Sequence, residues 1–226
     1  MGNNDKTEEI FTETYNENHW GGEESVSGPG SDTFQTRILI KALPDLLKEL
    51  NISSMLDVPC GDFNWMQNID LTNLDYIGGD IVKSLVQSNI DKYGNGRVKF
   101  QYLNLLKDQL QKVDLILCRD CLVHFSLADI ALALKNIYNS QSKYLLTTTF
   151  TDANIRSGAG FNDNGDINTG EWRPLNLQRA PFMLPEPLMI INEGCTEGGG
   201  ICKDKSLGLW RVADLKKAFS AGSVWQ

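Results

Sequence analysis

Residues 53–80 read SSMLDVPCGDFNWMQNIDLTNLDYIGGD, and this stretch decides the fold. Ser54-Met55-Leu56-Asp57-Val58 is short and mostly apolar, as a parallel strand buried on both faces must be. Pro59-Cys60-Gly61-Asp62 interrupts it with turn residues. Asn64 to Ile69 suits a short helix, and Tyr76-Ile77 leads into Gly78-Gly79-Asp80 at the end of a second strand. Gly61 and Asp80 are 19 residues apart, about the distance at which a dinucleotide-type fold sets a carboxylate on a ribose. A small residue lets the backbone approach a ligand lying over the carboxyl ends of the strands. A carboxylate there can accept hydrogen bonds from both ribose hydroxyls.

Leu56-Asp57-Val58-Pro59-Cys60-Gly61-Asp62 resembles the first motif of class I S-adenosylmethionine-dependent methyltransferases, roughly Leu-Asp-Val-Gly-Cys-Gly-x-Gly. Pro59 stands for the first glycine and Phe63 for the last, so only the middle one, Gly61, is kept. The resemblance spans about residues 35–215, with its sharpest part at 54–80 and weaker support at 104–124. It implies a doubly wound, Rossmann-like α/β fold whose seven strands are mostly parallel and end in an antiparallel hairpin. It also implies S-adenosyl-L-methionine as cofactor. In that reading Asp57 holds the first loop or approaches the cofactor's amino group, Gly61 allows close backbone approach, and Asp80 binds the ribose. Asn104 and Leu105 line the adenine, Pro59, Cys60 and Ile81 flank the cofactor, and Arg119 contacts cofactor or substrate.

Outward from the motif, the chain keeps alternating strand and helix. A helix is expected from Ser31 or Asp32 to Leu50, with Pro44 inside it. Val82–Tyr93 reads as a helix stopped by Gly94-Asn95-Gly96, and Val98–Leu103 as a strand. Val113–Cys118 is an apolar run suited to a central strand, Ser126 can cap a helix over 127–137, and Tyr144–Phe150 is another strand. Residues 151–184, rich in Asn, Asp, Gly and Pro, are too long for an ordinary connection and read as a functional insert. Two strands, 188–191 and 206–210, close the domain around a glycine-rich loop. Residues 1–34 form either a lid over the cofactor or a tail; their aromatic residues are unusual for a disordered acidic tail.

Composition bounds the partners. The chain has 226 residues, a net charge of −8 and a pI near 4.8, which argues against wholesale nucleic-acid binding. No apolar run reaches the length of a membrane span, and the polar, acidic N-terminus is no signal peptide. Met1-Gly2 opens like a myristoylation start, but the residues that follow do not fit one. An odd count of 5 cysteines suggests reduced thiols in a cytoplasmic protein. Cys118-x-x-Cys121 lacks a second pair, so no metal site is expected.

Two histidines are present, and His124 follows the fourth strand, where ligands gather in open α/β sheets. It is the candidate general base, with Asp120 as its partner or competitor. Trp20 from the N-terminal segment, and Trp172, Arg173 and Arg179 from the insert, are candidate acceptor contacts. The reading is a methyltransferase acting on a small polar metabolite or glycan precursor, with O-methylation expected. N-methylation, a nicotinamide-dependent oxidoreductase and an inactive binding module stay open as alternatives.

Overall fold

Ser54–Asp57 forms strand β1, its last three side chains buried, and runs parallel to β2 (Asp75–Asp80) with Leu56 opposite Ile77. β3 (Val98–Tyr102) pairs in parallel on the other side of β2. The structure is a computed structural model describing residues 6–157 and 163–216. It divides into two compact units, Met1–Leu105 and Leu106–Gln226.

In the first unit, helix α1 (Lys6–Asn16) is anchored by Glu8, which accepts hydrogen bonds from Lys83 Nζ (2.6 Å) and Tyr102 Oη (2.9 Å). Helix α2 (Arg37–Glu49) buries Leu39, Leu43, Leu46 and Leu47, the spacing of one helical face. It starts later than the sequence suggests, because the Asp32 carbonyl accepts the Thr36 hydroxyl (2.8 Å) in a turn of its own. Helix α3 (Lys83–Tyr93) ends at Gly94 as expected. The short helix expected over 64–69 contracts to a 3₁₀ turn, Met66–Asn68.

Phe63, where the related motif has glycine, takes up the left-handed conformation itself, with φ 63°. That conformation costs a non-glycine residue about 1–2 kcal/mol. An aromatic cluster holds it there. The Phe63 ring lies 5.3 Å from Tyr76, 5.0 Å from Tyr93 and 5.1 Å from Phe100, centroid to centroid. Burying a ring of this size contributes about 1.5–3 kcal/mol, enough to offset the strain.

The second unit holds β4 (Leu115–Cys118), α4 (Leu127–Asn139), β5 (Tyr144–Phe150), β6 (Met189–Asn192) and β7 (Lys205–Arg211). β4 and β5 are parallel, while β7 pairs antiparallel with both β5 and β6. Ser126 caps α4 as the sequence predicts, its hydroxyl accepting from Asp129 N at 3.1 Å. β4 begins two residues late, because Val113 N–H is taken by the Ser142 hydroxyl (3.1 Å). β5 carries three consecutive buried threonines, each with a hydrogen-bond partner as burial demands. Thr149 accepts from Leu177 N (3.2 Å), and Phe150 N donates to Leu175 O (2.7 Å), so the far end of the insert is bonded to this strand. Asp152, Arg156 and Asp163 bracket residues 158–162 of the insert, which lie outside the described residues. The strand order is β3-β2-β1-β4-β5-β7-β6 in one seven-stranded, mostly parallel sheet with a terminal antiparallel hairpin.

Candidate active site

The loop after β1 is built from three directions, all within the first unit. Cys60 N–H donates to Gly79 O (2.9 Å), and Asn89 from α3 donates to Gly61 O (2.7 Å). Asp80, at the end of β2, accepts from Gly61 N (3.1 Å) on one oxygen and Val82 N (3.0 Å) on the other. Gly61 has φ +54°, and a Cβ there would stand 2.3 Å from the Ser27 hydroxyl, so no other residue fits without displacement.

Ser27 belongs to a strap that crosses this loop. Asp62 accepts from Ser25 Oγ on both oxygens (3.0 and 2.9 Å), and from Val26 N (2.9 Å). Asp62 N–H donates in turn to Ser27 Oγ at 3.0 Å. Residues 25–27 are thus joined to the loop through one carboxylate.

Asp80 is buried, and desolvation is the main reason its carboxyl is pushed up to about 6 from an ordinary 3.8, against its backbone hydrogen bonds. The direction matters twice. An unfolded chain would ionise Asp80 near 3.8, so its contribution to stability is full below that value and is lost as pH rises through about 6. Ligand hydroxyls, by contrast, donate to the ionised form. Affinity for such a ligand should therefore be flat above pH 6 and fall by about tenfold per pH unit well below it. Titration with S-adenosylhomocysteine between about pH 5 and about pH 8 measures this, and a flat curve would take Asp80 out of ligand binding.

The other first-unit candidates surround this carboxylate. Asp57 is buried and accepts the Tyr76 hydroxyl (2.7 Å), and burial raises that phenol well above its usual value. Pro59 is half-buried, and the Val58–Pro59 peptide is cis. Cys60 is a buried free thiol that burial pushes up, so it stays protonated. Ile81 is half-buried, while Asn104 and Leu105, just past β3, are buried. Trp20 is half-buried with its ring 6.4 Å from that of Phe11.

The second unit gathers the charged candidates at the carboxyl end of β4. Arg119 is buried, its Nη2 2.7 Å from Glu193 Oε2 and its Nη1 3.2 Å from Asp120 Oδ2. Lys205 Nζ lies 2.5 Å from the same Asp120 oxygen and 3.6 Å from Glu193 Oε2. Asp120 has φ +49°, with its N–H held by Thr148 Oγ1 at 2.8 Å. Although burial opposes it, Arg119 and Lys205 together hold the Asp120 carboxyl well below the usual range. A carboxylate so stabilised is a poor proton acceptor.

His124 is better suited. It is half-buried, and its Nδ1 lies 3.0 Å from the Glu171 carbonyl. A carbonyl can only accept, so Nδ1 carries the hydrogen and the neutral ring has its lone pair on Nε2. Burial lowers its pKa below 6.5, against pulls from the Glu171 carbonyl and Asp120, so the ring is neutral at pH 7. Arg173 positions this turn. Its guanidinium donates to the carbonyls of Leu122 (3.1 Å), Val123 (3.0 Å), Phe125 (2.7 Å) and Gly165 (2.9 Å). Its donors are therefore engaged with the chain, and burial pulls its pKa down to about 10. Trp172 is partly exposed with its ring 6.0 Å from Phe150, and Arg179 is exposed.

Four residues of these arrangements escaped the sequence reading: Asp62, Asn89, Glu193 and Lys205. Asn89 had a signal, since it sits on the buried face of α3 with Leu85 and Val86, where an amide needs a partner. Among the described residues no group of three metal-ligating side chains comes together, and no helix is long and apolar enough to cross a membrane.

No family model and no curated protein matches the sequence. Solved structures do match in fold. N-methyltransferase NodS from Bradyrhizobium japonicum, in complex with S-adenosyl-L-homocysteine, matches with TM-score 0.60 at 14% identity, over 88% of this chain and 97% of its own. An S-adenosylmethionine-dependent methyltransferase from Clostridium acetobutylicum matches with TM-score 0.55 at 12% identity, over 77% and 90%. Human N-acetylserotonin methyltransferase in complex with SAM matches with TM-score 0.53 at 12% identity, over 89% and 66%. With its strand order and terminal hairpin, the chain has the fold of class I S-adenosylmethionine-dependent methyltransferases.

Proposed function

We propose that this protein is an S-adenosylmethionine-dependent methyltransferase that methylates a hydroxyl of a small polar metabolite or glycan precursor, in the cytoplasm. The observation that carries the reading is the Asp80 carboxylate. It is buried at the end of β2, bonded to Gly61 N–H at 3.1 Å and raised to about 6. Backbone N–H groups of Gly61, Ile81 and Val82 do not exhaust the acceptor capacity of a carboxylate, and hydroxyl donors would relieve the cost of keeping it ionised. A ribose supplies such donors, so the residues present fit the cofactor. Asp57, Pro59, Cys60, Gly61, Ile81, Asn104 and Leu105 complete its binding set. Residues 1–34 serve as its cover, with the strap bonds to Asp62 as support. Residues 35–226 form the catalytic domain, with 151–184 as its acceptor-side insert.

The bound cofactor supplies a methyl group on a sulfonium. The protein binds and orients the acceptor, excludes water, and removes the hydroxyl proton through His124 Nε2. Asp120 favours the imidazolium that results. Trp172 and Arg179 are proposed acceptor contacts, and Arg173 holds the turn that carries His124. The net charge of −8 supports a small-molecule acceptor over a nucleic acid.

Asp80→Ala tests the reading. Binding of S-adenosylhomocysteine by calorimetry should weaken by about 1.5–3 kcal/mol, the scale of hydrogen bonds to a charged group. Circular dichroism checks the fold alongside. Unchanged affinity, or binding of NAD by the parent protein instead, would count against it.

A further inference from the structure

The hairpin end of the second unit holds four charged groups that a methyl-transfer mechanism does not by itself require. Arg119, Asp120, Glu193 and Lys205 carry two positive and two negative charges, so the cluster is neutral. Glu193 and Lys205 meet because of hairpin register, Glu193 N–H donating to Lys205 O at 3.0 Å. The Glu193 side chain is 1% exposed and that of Asp120 26%, so Asp120 is the end that faces solvent.

Within the cluster the hydrogen bonds are unevenly divided. Glu193 Oε2 receives Arg119 at 2.7 Å and has Lys205 at 3.6 Å, whereas buried Oε1 has no hydrogen-bond donor. A buried charged acceptor without a donor costs about 1–3 kcal/mol or more. Glu193 Oε1 therefore has acceptor capacity for an O–H or N–H. A neutral ligand also leaves the charge balance undisturbed, whereas an anion would meet Asp120 first. Gly194, immediately after Glu193, has φ +62°, and Gly199 and Gly200 have nothing within 4 Å of a Cβ position. Open space therefore lies at Gly199 and Gly200 in the loop that follows Glu193.

We propose that Glu193 and Asp120, held by Lys205 and Arg119, are the hydroxyl-recognition site for a neutral, polyhydroxylated methyl acceptor. This deepens the methyltransferase reading and rests on it. Asp120 and His124 both lie in the segment that follows β4 at its carboxyl end, so the site adjoins the proposed base. Glu193 and Asp120 accept from the acceptor's hydroxyls, and Lys205 is a positioning residue for both carboxylates.

The test uses the full-length protein, a neutral hexose and its 6-phosphate, with and without saturating S-adenosylhomocysteine. Binding is followed by saturation-transfer NMR and titration. The hexose should bind, and Glu193→Gln should weaken it by about tenfold, the loss of one hydrogen bond to a charged group. Glutamine keeps the shape, but it can keep its oxygen toward Arg119 only by placing an amide donor at the Oε1 position. Affinity for S-adenosylhomocysteine should stay within about twofold of the parent value, well below the tenfold that 1.4 kcal/mol represents. If Glu193→Gln does not fold, Asp120→Asn at the exposed end should weaken the hexose likewise. No hexose binding, hexose binding indifferent to both substitutions, or tighter binding of the 6-phosphate would each overturn the proposal. Failure of the parent protein to bind S-adenosylhomocysteine would overturn the methyltransferase reading instead, and the cofactor-free hexose titration keeps the two failures apart.

Discussion

Replacing His124 by asparagine lowers kcat by about 10²–10⁴-fold, the usual contribution of a general base. Asparagine is the informative choice because its amide N–H can stand in for Nδ1–H, which lies 3.0 Å from the Glu171 carbonyl. The turn is kept and only the Nε2 lone pair is lost. Affinity for S-adenosylhomocysteine stays nearly unchanged. In the parent protein turnover falls as pH drops through a value below 6.5, because protonation removes the base. The same lowered value means that the contribution of neutral His124 to stability is present above 6.5 and is lost as pH falls through the folded-state value. The measurement is a pH–rate profile of S-adenosylhomocysteine release. If His124→Asn keeps full turnover while Asp120→Asn abolishes it, the roles are reversed. If both stay active, methyl transfer proceeds by positioning alone.

Arg156→Leu destabilises the second unit by about 3–5 kcal/mol, the cost of removing one partner from a buried ionic network. Arg156 is 2% exposed and joins separate parts of the chain. It binds Asp163 through Nε (3.0 Å) and Nη2 (2.8 Å), and Asp204 through Nη1 (2.5 Å) and Nη2 (3.0 Å). It also donates to Ile201 O (2.9 Å), and its guanidinium lies 4.9 Å from the Phe150 ring centroid. Leucine fills much of the volume but leaves the buried Asp204 carboxylate without its cation. For a chain of this size the melting temperature should fall by about 6–20 °C in calorimetry. A shift below about 1 °C would show that Asp163 and Asp204 are satisfied without it. Adding Asp204→Asn to Arg156→Leu should recover part of the loss, because the uncompensated charge is what costs most.

Both expectations concern side chains whose partners lie far along the chain, and that separation is where sequence reading stopped. The strands were legible because a strand buried on both faces must be continuously apolar, as in Leu115–Cys118, where every residue is buried. The Ser126 cap was legible because capping is a local bond to Asp129 N. Phe63 was not, since its left-handed backbone is tolerated only because Tyr76, Tyr93 and Phe100 enclose its ring. Arg173 read as an acceptor contact, but the turn at 122–125 presents carbonyls that occupy its guanidinium.

The sequence by itself determined the order of strands and helices, the loop at Gly61 and the carboxylate at Asp80. These depend on periodicity, turn chemistry and spacing over about twenty residues, which neighbours in the chain impose on one another. Only the tertiary structure decided what those residues meet. It brought Ser25 and Ser27 to Asp62, raised Asp80 to about 6, turned Nδ1 of His124 to Glu171, and set Glu193 and Lys205 beside Arg119 and Asp120. Burial and hairpin register produce these pairings, and both depend on which distant segments pack together.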